Sequence, residues 1–175
     1  RGSVTNRLRS MPEFAALDRI DFGILKALQN NARLSNKELA AQVGLAPSSC
    51  LARVRKLRRA GVLGSAHTRV DPHALGIGLQ AMLAVRLRRH GRADFDAFRQ
   101  HVRGLAEVVA LYHLTGDDDF LIHVAVRDAD HLRDLALDAF TTRPEVDRLR
   151  TSLVYDHHRQ PALPCYACDD EDDRE

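Results

Sequence analysis

Between Asp18 and Gly61 the chain carries helix start and stop signals so closely spaced that only three short helices fit between them. Asp18 can cap a first helix, Asp21 adds negative charge to its first turn, and Leu17 can pack against Phe22 across the cap. Ile20, Ile24 and Leu28 then recur one turn apart, with Leu25 beside them, which predicts an apolar stripe running to about Asn30. Ser35-Asn36-Lys37-Glu38 is a complete capping box, flanked by the staple pair Leu34 and Leu39. Gly44 supplies the left-handed residue that ends this second helix. Pro47 suits the first turn of a third helix, which meets no breaker from Ser48 to Ala60 and stops at Gly61. At 100° per residue, Cys50, Leu51, Val54 and Leu57 fall on one side of that helix, and Ser48, Ser49, Ala52, Arg53, Arg55, Lys56 and Arg59 fall opposite.

The formal charge of +2 conceals a partition along the chain. Residues 1–75 carry +8, residues 76–168 carry −1 and residues 169–175 carry −5. A polyanion-binding first part followed by an acidic tail is the organisation this suggests. Charged helix faces are usually only solvated, but the third helix holds no acidic residue to form the i,i+4 pairs of a merely solubilising face. A short capped helix, a tight Gly44-Leu45-Ala46 turn and a basic second helix make up a helix-turn-helix. In that arrangement the second helix enters the major groove of double-stranded DNA with its N-terminal residues at base edges. Ser48, Ser49 and Ala52 are short enough to approach base edges, Arg53 and Lys56 reach bases or phosphates, and Arg55, Arg58 and Arg59 lie where phosphate is the nearer partner.

Residues 62–72 are too polar and too interrupted by glycine for a fourth long helix, and read as an extended connector or strand ending at Asp71-Pro72. Beyond Gly76 and Gly78 the pattern predicts a strand over 79–87, a helix over 94–102 and a strand over 108–114. The turn Gly116-Asp117-Asp118-Asp119 follows, then a strand over 120–126, a helix over 130–140 and a strand over 149–155. That order is the ferredoxin-like split βαβ, with two helices on one sheet face and the other face bare. A bare sheet of this size has to be covered, and a second copy of the chain is the simplest cover. The fold class is therefore α+β: a helix-turn-helix, winged-helix-like domain over 14–64, a connector over 65–78, a ferredoxin-like domain over 79–158 and a tail over 159–175.

No apolar run approaches the roughly 20 residues of a membrane span and no export signal opens the sequence, so a cytoplasmic protein without a membrane partner is expected. The odd cysteine count, Cys50, Cys165 and Cys168, argues against a disulfide scaffold and for a reducing compartment. His157, His158, Cys165 and Cys168 have zinc-ligand chemistry, but adjacent histidines rarely both face one ion and a second cysteine pair is missing, so no metal is expected. No nucleophile triad, phosphate loop or metalloprotease motif occurs, so no enzyme and no cofactor are read from the sequence.

The spacing of Leu17-Asp18-x-x-Asp21-x-x-Ile24-Leu25, Leu34-Ser35-Asn36-x-Glu38-Leu39-Ala40, Val43-Gly44-Leu45-x-Pro47-Ser48, Arg53-Val54-x-x-Leu57 and Gly61-Val62 strongly resembles the DNA-binding half of the Lrp/AsnC, or feast/famine, transcriptional regulators. Asp71-Pro72-x-x-Leu75-Gly76 and Thr115-Gly116-Asp117-Asp118-Asp119-Phe120 are similar to the effector domain of that family. The resemblance implies a homodimer built on the ferredoxin-like sheets, often assembled into octamers or higher forms, with free amino acids as effectors. It also implies that the turn Thr115, Gly116, Asp117, Asp118 and Asp119 contributes to the effector pocket. Chemically, such a turn can offer backbone groups to a ligand carboxylate and side-chain carboxylates to an ammonium, although an acidic glycine turn is also simply a hairpin loop. The chain departs from the family at Ala46, where a serine cap is usual, at Asp118, which is often aromatic, and in its C-terminal tail. Two other functions remain on the same scaffold: an enzyme resembling the siroheme decarboxylases, with His113 or His123 as acid, and an architectural DNA-binding protein blind to effectors.

Overall fold

The computed structural model describes residues 17–89, 91–160 and 162–167. The first residues of the expected DNA-binding domain, Cys168 and the acidic run 169–175 lie outside the described residues. The chain divides into two compact units, one formed by the residues up to Thr68 together with the segment from Arg159 onward, the other by Arg69–His158. Among the described residues no helix is long and apolar enough to cross a membrane.

In the first unit the three helices are α1 (Arg19–Asn30), α2 (Asn36–Gln42) and α3 (Pro47–Arg59). The expected capping box forms, with Glu38 N donating to Ser35 Oγ and Ser35 N donating to Glu38 Oε2 at 2.8 Å, and the expected Asp18 cap proves to be a second box, in which Asp21 N donates to Asp18 Oδ1 at 2.9 Å. Gly44 adopts φ +69°, and the Leu45 N–H reaches the Ala40 carbonyl at 2.9 Å, the six-to-one bond of a Schellman ending. Gly61, at φ +71°, closes α3 in the same way through Val62 N and Leu57 O. Ile24, Leu39, Ala40, Cys50, Val54 and Leu57 make the core. Leu51, placed on the core side by its helical angle, is 38% exposed, because α3 bears on its neighbours through a narrow stripe formed by Cys50, Val54 and Leu57. After α3 the chain runs as turn and extended segment to a short 3-10 turn at Pro72–Leu75, which Asp71 caps.

The second unit contains β1 (Leu79–Leu87), α4 (Arg92–Arg103), β2 (Val108–His113), β3 (Phe120–Val126), α5 (Ala129–Ala136) and β4 (Val146–Leu153). The four strands form an antiparallel sheet in the order β2-β3-β1-β4, the split βαβ expected from the sequence. Ala81, Leu83, Val85 and Leu87 of β1 and Phe120, Ile122, Val124 and Val126 of β3 alternate onto one face, where Phe98 and Val102 of α4 and Leu132 and Leu135 of α5 cover them. Phe98 lies at 5.0 Å from Phe120 and 6.3 Å from Phe140 between ring centroids, a packed aromatic centre. The opposite face carries Gln80, Met82, Ala84 and Arg86 of β1 beside Leu121, His123 and Ala125 of β3, and no helix of the unit packs there.

Two boundaries differ by more than two residues from the sequence reading. The expected helix over 130–140 is α-helical only to Ala136 and widens into a π turn at Leu137–Thr141, where Thr141 and Thr142 hydroxyls donate to the Ala136 and Asp138 carbonyls. The last strand begins at Val146 rather than Leu149, because Val146 is buried against the core while the intervening Asp147 and Arg148 look like loop residues.

Candidate nucleic-acid interface and effector turn

Helix α3 is set by its neighbours before it can meet anything else. The Asn36 side-chain amide donates to the Pro47 carbonyl at 2.7 Å, tying the start of α2 to the start of α3. The α3 N-cap, Ala46, gives no side-chain hydrogen bond, so proline at the first position is the main local device that starts the helix. Ser48, Ser49, Ala52, Arg55, Lys56 and Arg59, all assigned to DNA from the sequence, are exposed. Among the described residues Arg55, Lys56, Arg58 and Arg59 have no ionic partner. A row of guanidinium and ammonium groups beside a small-residue helix start is what a phosphate backbone and a base edge require together.

Arg53 stands apart from this row. The sequence reading gives it to DNA, but its Nη1 lies 2.6 Å from Asp18 Oδ2 and 3.0 Å from Asp21 Oδ1, and its side chain is only 32% exposed. Asp21 is 2% exposed, the only buried charged residue of the described chain, and a carboxylate so placed is costly unless paired. Hydrogen bonds to Asp18 and then Asp21 push the Arg53 pKa above its ordinary value. The backbone N–H of Asp21, then Arg53, hold the Asp18 carboxyl below the usual carboxylate range. Arg53 is thus a strut between α3 and the capped end of α1. The sequence reading makes Asp18 a cap and Asp21 a first-turn charge, and no sequence signal links them to an arginine more than thirty positions away.

In the second unit Thr115, Gly116, Asp117, Asp118 and Asp119 come together as the β2–β3 turn, with Gly116 at φ +125°, a conformation that favours glycine. The turn is fastened along its Asp117–Asp119 side. Asp119 N donates to Val85 O at 2.9 Å, and Leu87 N donates to Asp119 Oδ2 at 2.7 Å. The Asp118 carboxylate receives Arg148 Nη2 at 3.3 Å on one oxygen and Arg150 Nη2 on the other, and Arg86 Nη1 donates to the Asp117 carbonyl at 3.4 Å. Desolvation works against the Asp118 carboxylate, but hydrogen bonds from Arg150 and Arg148 and their charges outweigh it, so its pKa lies below the ordinary value. Two of the three carboxylates expected to await a ligand ammonium are therefore engaged within the chain. Arg148 escaped the sequence reading because the last strand was begun one residue after it, while Arg86 and Arg150 lay in expected strands with nothing local to tie them to the turn; the Arg-x-Arg alternation on a strand is the signal that would have placed Arg148 and Arg150 on one face.

The histidines weighed as acids are held elsewhere. The His113 ring stacks on Phe120 at 4.9 Å and lies at 4.9 Å from Phe95. His123 Nε2 bonds Gln80 Oε1 at 2.9 Å, and burial, then the nearby His157, lower its pKa and favour the neutral ring. In the C-terminal segment the Leu163 N–H donates to Gln29 Oε1 of α1 at 2.7 Å, so this part of the tail belongs with the helical unit. Cys165 is disulfide-bonded, a departure from the reading of the odd cysteine count as the mark of a reducing compartment, while Cys50 is a free thiol buried in the α3 core stripe.

Known families and structures follow the same division. Residues 17–63 match a winged helix-turn-helix DNA-binding family and residues 80–162 match the Lrp/AsnC ligand binding domain. The chain is 43% identical over 143 residues to the HTH-type transcriptional regulator AldR of Mycolicibacterium smegmatis, covering 82% of this chain and 84% of that protein. It is 35% identical to the leucine-responsive regulatory protein of Escherichia coli, over 82% of this chain and 88% of that protein. Among solved structures, a transcriptional regulator from Neisseria meningitidis in complex with L-Met superposes with a TM-score of 0.80 at 31% identity, covering 87% of this chain and 99% of that one. With both halves matched in order and the relatives spanned almost end to end, the chain belongs to the Lrp/AsnC family of transcriptional regulators.

Proposed function

We propose that the protein is a DNA-binding transcriptional regulator that lays α3 in the major groove and answers to a small effector, an amino acid, through its second unit. The observation that carries the reading is the exposed row Arg55, Lys56, Arg58 and Arg59, cations without an ionic partner among the described residues. In this reading Ser48, Ser49 and Ala52 approach base edges, Lys56 reaches bases or phosphates, and Arg55 and Arg59 neutralise phosphates. Arg53 positions α3 through Asp18 and Asp21 rather than leading the contact. Two copies join over the sheet face that carries Met82, Leu121 and Ala125, which spaces two α3 helices for half-sites on one side of a duplex. The Thr115–Asp119 turn receives the effector. The enzyme reading draws no support from its two histidines: His113 is stacked on Phe120, and burial lowers the pKa of His123.

Selection from a pool of random duplexes, followed by a thermal-shift screen against the twenty amino acids, tests both halves of the proposal. Enrichment of a palindromic site and a rise in melting temperature with at least one amino acid are the expected results, since a ligand selective for the folded state stabilises it by mass action. A pool that stays unenriched refutes the first half, and twenty flat melting curves refute the second.

A further inference from the structure

After β4 the chain returns to the helices. The segment from Arg159 onward groups with the first unit, and its Leu163 N–H is bonded to Gln29 Oε1 of α1. The hold is light: Leu163 is 77% exposed and Tyr166 80% exposed, so little apolar surface is buried to fix the segment. Six residues past this anchor begins Asp169-Asp170-Glu171-Asp172-Asp173-Arg174-Glu175, with six carboxylates to one guanidinium. The helical unit offers such a run two basic surfaces. One is a groove of about 640 Å³ between α1 and α2, lined by Arg19, Gly23, Lys26 and Asn30 on one row of α1. Gln29 does not line it, and at 100° per residue Gln29 stands well round the helix from that row. The other is a hollow of about 460 Å³ on α3, lined by Ala52, Arg55, Arg58 and Arg59. Gln29 follows Asp18 by eleven positions, three helical turns, and so stands on the flank of α1 that meets Arg53 of α3. Three turns are roughly 16 Å and a helix is about 10–12 Å across. Six to twelve residues of extended chain span up to roughly 20 to 40 Å, enough to bring the acidic run from Gln29 over α3.

We infer that the acidic run 169–175 docks on the α3 hollow between encounters with DNA, as an internal competitor for the face that enters the groove. The inference rests on the DNA reading of α3 and adds a control to it. The hollow is lined by guanidiniums that have no ionic partner among the described residues, and a guanidinium fork accepts a carboxylate as it accepts a phosphate. The bond from Leu163 to Gln29 shortens the tether and raises the local concentration of the run at α3. A duplex, whose charge is denser and which releases counterions on binding, displaces it. The apparent affinity for DNA falls by the fraction of time the run holds the face. Because the competition is between exposed charges, it is strongest at low salt.

Anisotropy titrations of the full chain with a duplex of random sequence separate a docked run from plain repulsion between the tail and DNA. Neutralising the run by Asp169→Asn, Asp170→Asn, Glu171→Gln, Asp172→Asn, Asp173→Asn and Glu175→Gln is expected to tighten binding about tenfold at about 50 mM salt and about twofold at about 200 mM. Gln29→Ala removes the anchor and leaves the net charge alone. It is expected to tighten binding about threefold in the parent and to change nothing in the neutralised chain, the non-additivity of two changes that act through one contact. Neither set of substitutions touches the buried helical core. Unchanged affinity after neutralisation overturns the inference. So does a Gln29→Ala chain that binds as the parent does, because the tail then acts by net charge alone, and so does an equal Gln29→Ala gain in both backgrounds. A neutralisation gain that vanishes in Lys26→Gln puts the run in the α1–α2 groove and overturns docking on α3. In each of these cases the parent still binds DNA and the reading of α3 stands. Chains none of which binds any duplex remove that reading and this inference together.

Discussion

Arginines crowd both units, but they are used in opposite ways. On α3, Arg55, Arg58 and Arg59 stand exposed with no ionic partner among the described residues. Around the β2–β3 turn, Arg148 and Arg150 are held by Asp118 and Arg86 by a backbone carbonyl. An unpaired surface cation loses little when it gives up water for phosphate and gains the release of counterions. A paired one must first be separated from its partner, so it answers only to a ligand that outcompetes that partner. Arg53 belongs with the second kind although it sits on α3. Position on a basic helix therefore does not decide a residue's work; its partners do.

The contrast can be broken in several places. The largest effect on folding is expected from Ile24→Ala, which empties a fully buried site in the helical core and should cost about 2–5 kcal/mol by urea unfolding, whereas Arg55→Gln in the same unit leaves the midpoint unchanged. Arg53→Gln should lower the urea midpoint, because it strands the buried Asp21, and should weaken DNA binding in step with that loss. A variant that keeps the parental midpoint and still loses DNA would return Arg53 to the contact row. Smallest is Ala46→Ser, which supplies the missing α3 cap and should raise stability by about 1 kcal/mol; no gain would mean that Pro47 alone is sufficient to start the helix.

What the sequence disclosed and what it hid follow from the range of the interactions. Caps, staples and glycine endings act over three to six residues, so α1, α2 and α3 were legible from Asp18, Ser35, Gly44, Pro47 and Gly61, and all five residues do in the structure what their chemistry suggested. Alternation disclosed β1 and β3 because every second residue is buried beneath the helices. The start of β4 was hidden because only Val146 at that end is buried, and two charged residues follow it. The pairings of Arg53 with Asp18 and Asp21, of Arg148 and Arg150 with Asp118, and of Leu163 with Gln29 join residues about 30 to 134 positions apart, which no local pattern encodes.

The account turns on α3 meeting DNA through its unpaired cations, and the salt dependence of binding measures that most directly. Anisotropy titrations of a selected duplex across a range of potassium chloride concentrations give the slope of log affinity against log salt for the parent and for the combined variant Arg55→Gln, Lys56→Gln, Arg59→Gln. Each neutralised phosphate contributes about 0.9 to that slope, so the variant is expected to bind more weakly and to lose about 3 from it while melting as the parent does. Equal slopes for the two proteins would contradict the assignment of α3 as the DNA-binding face.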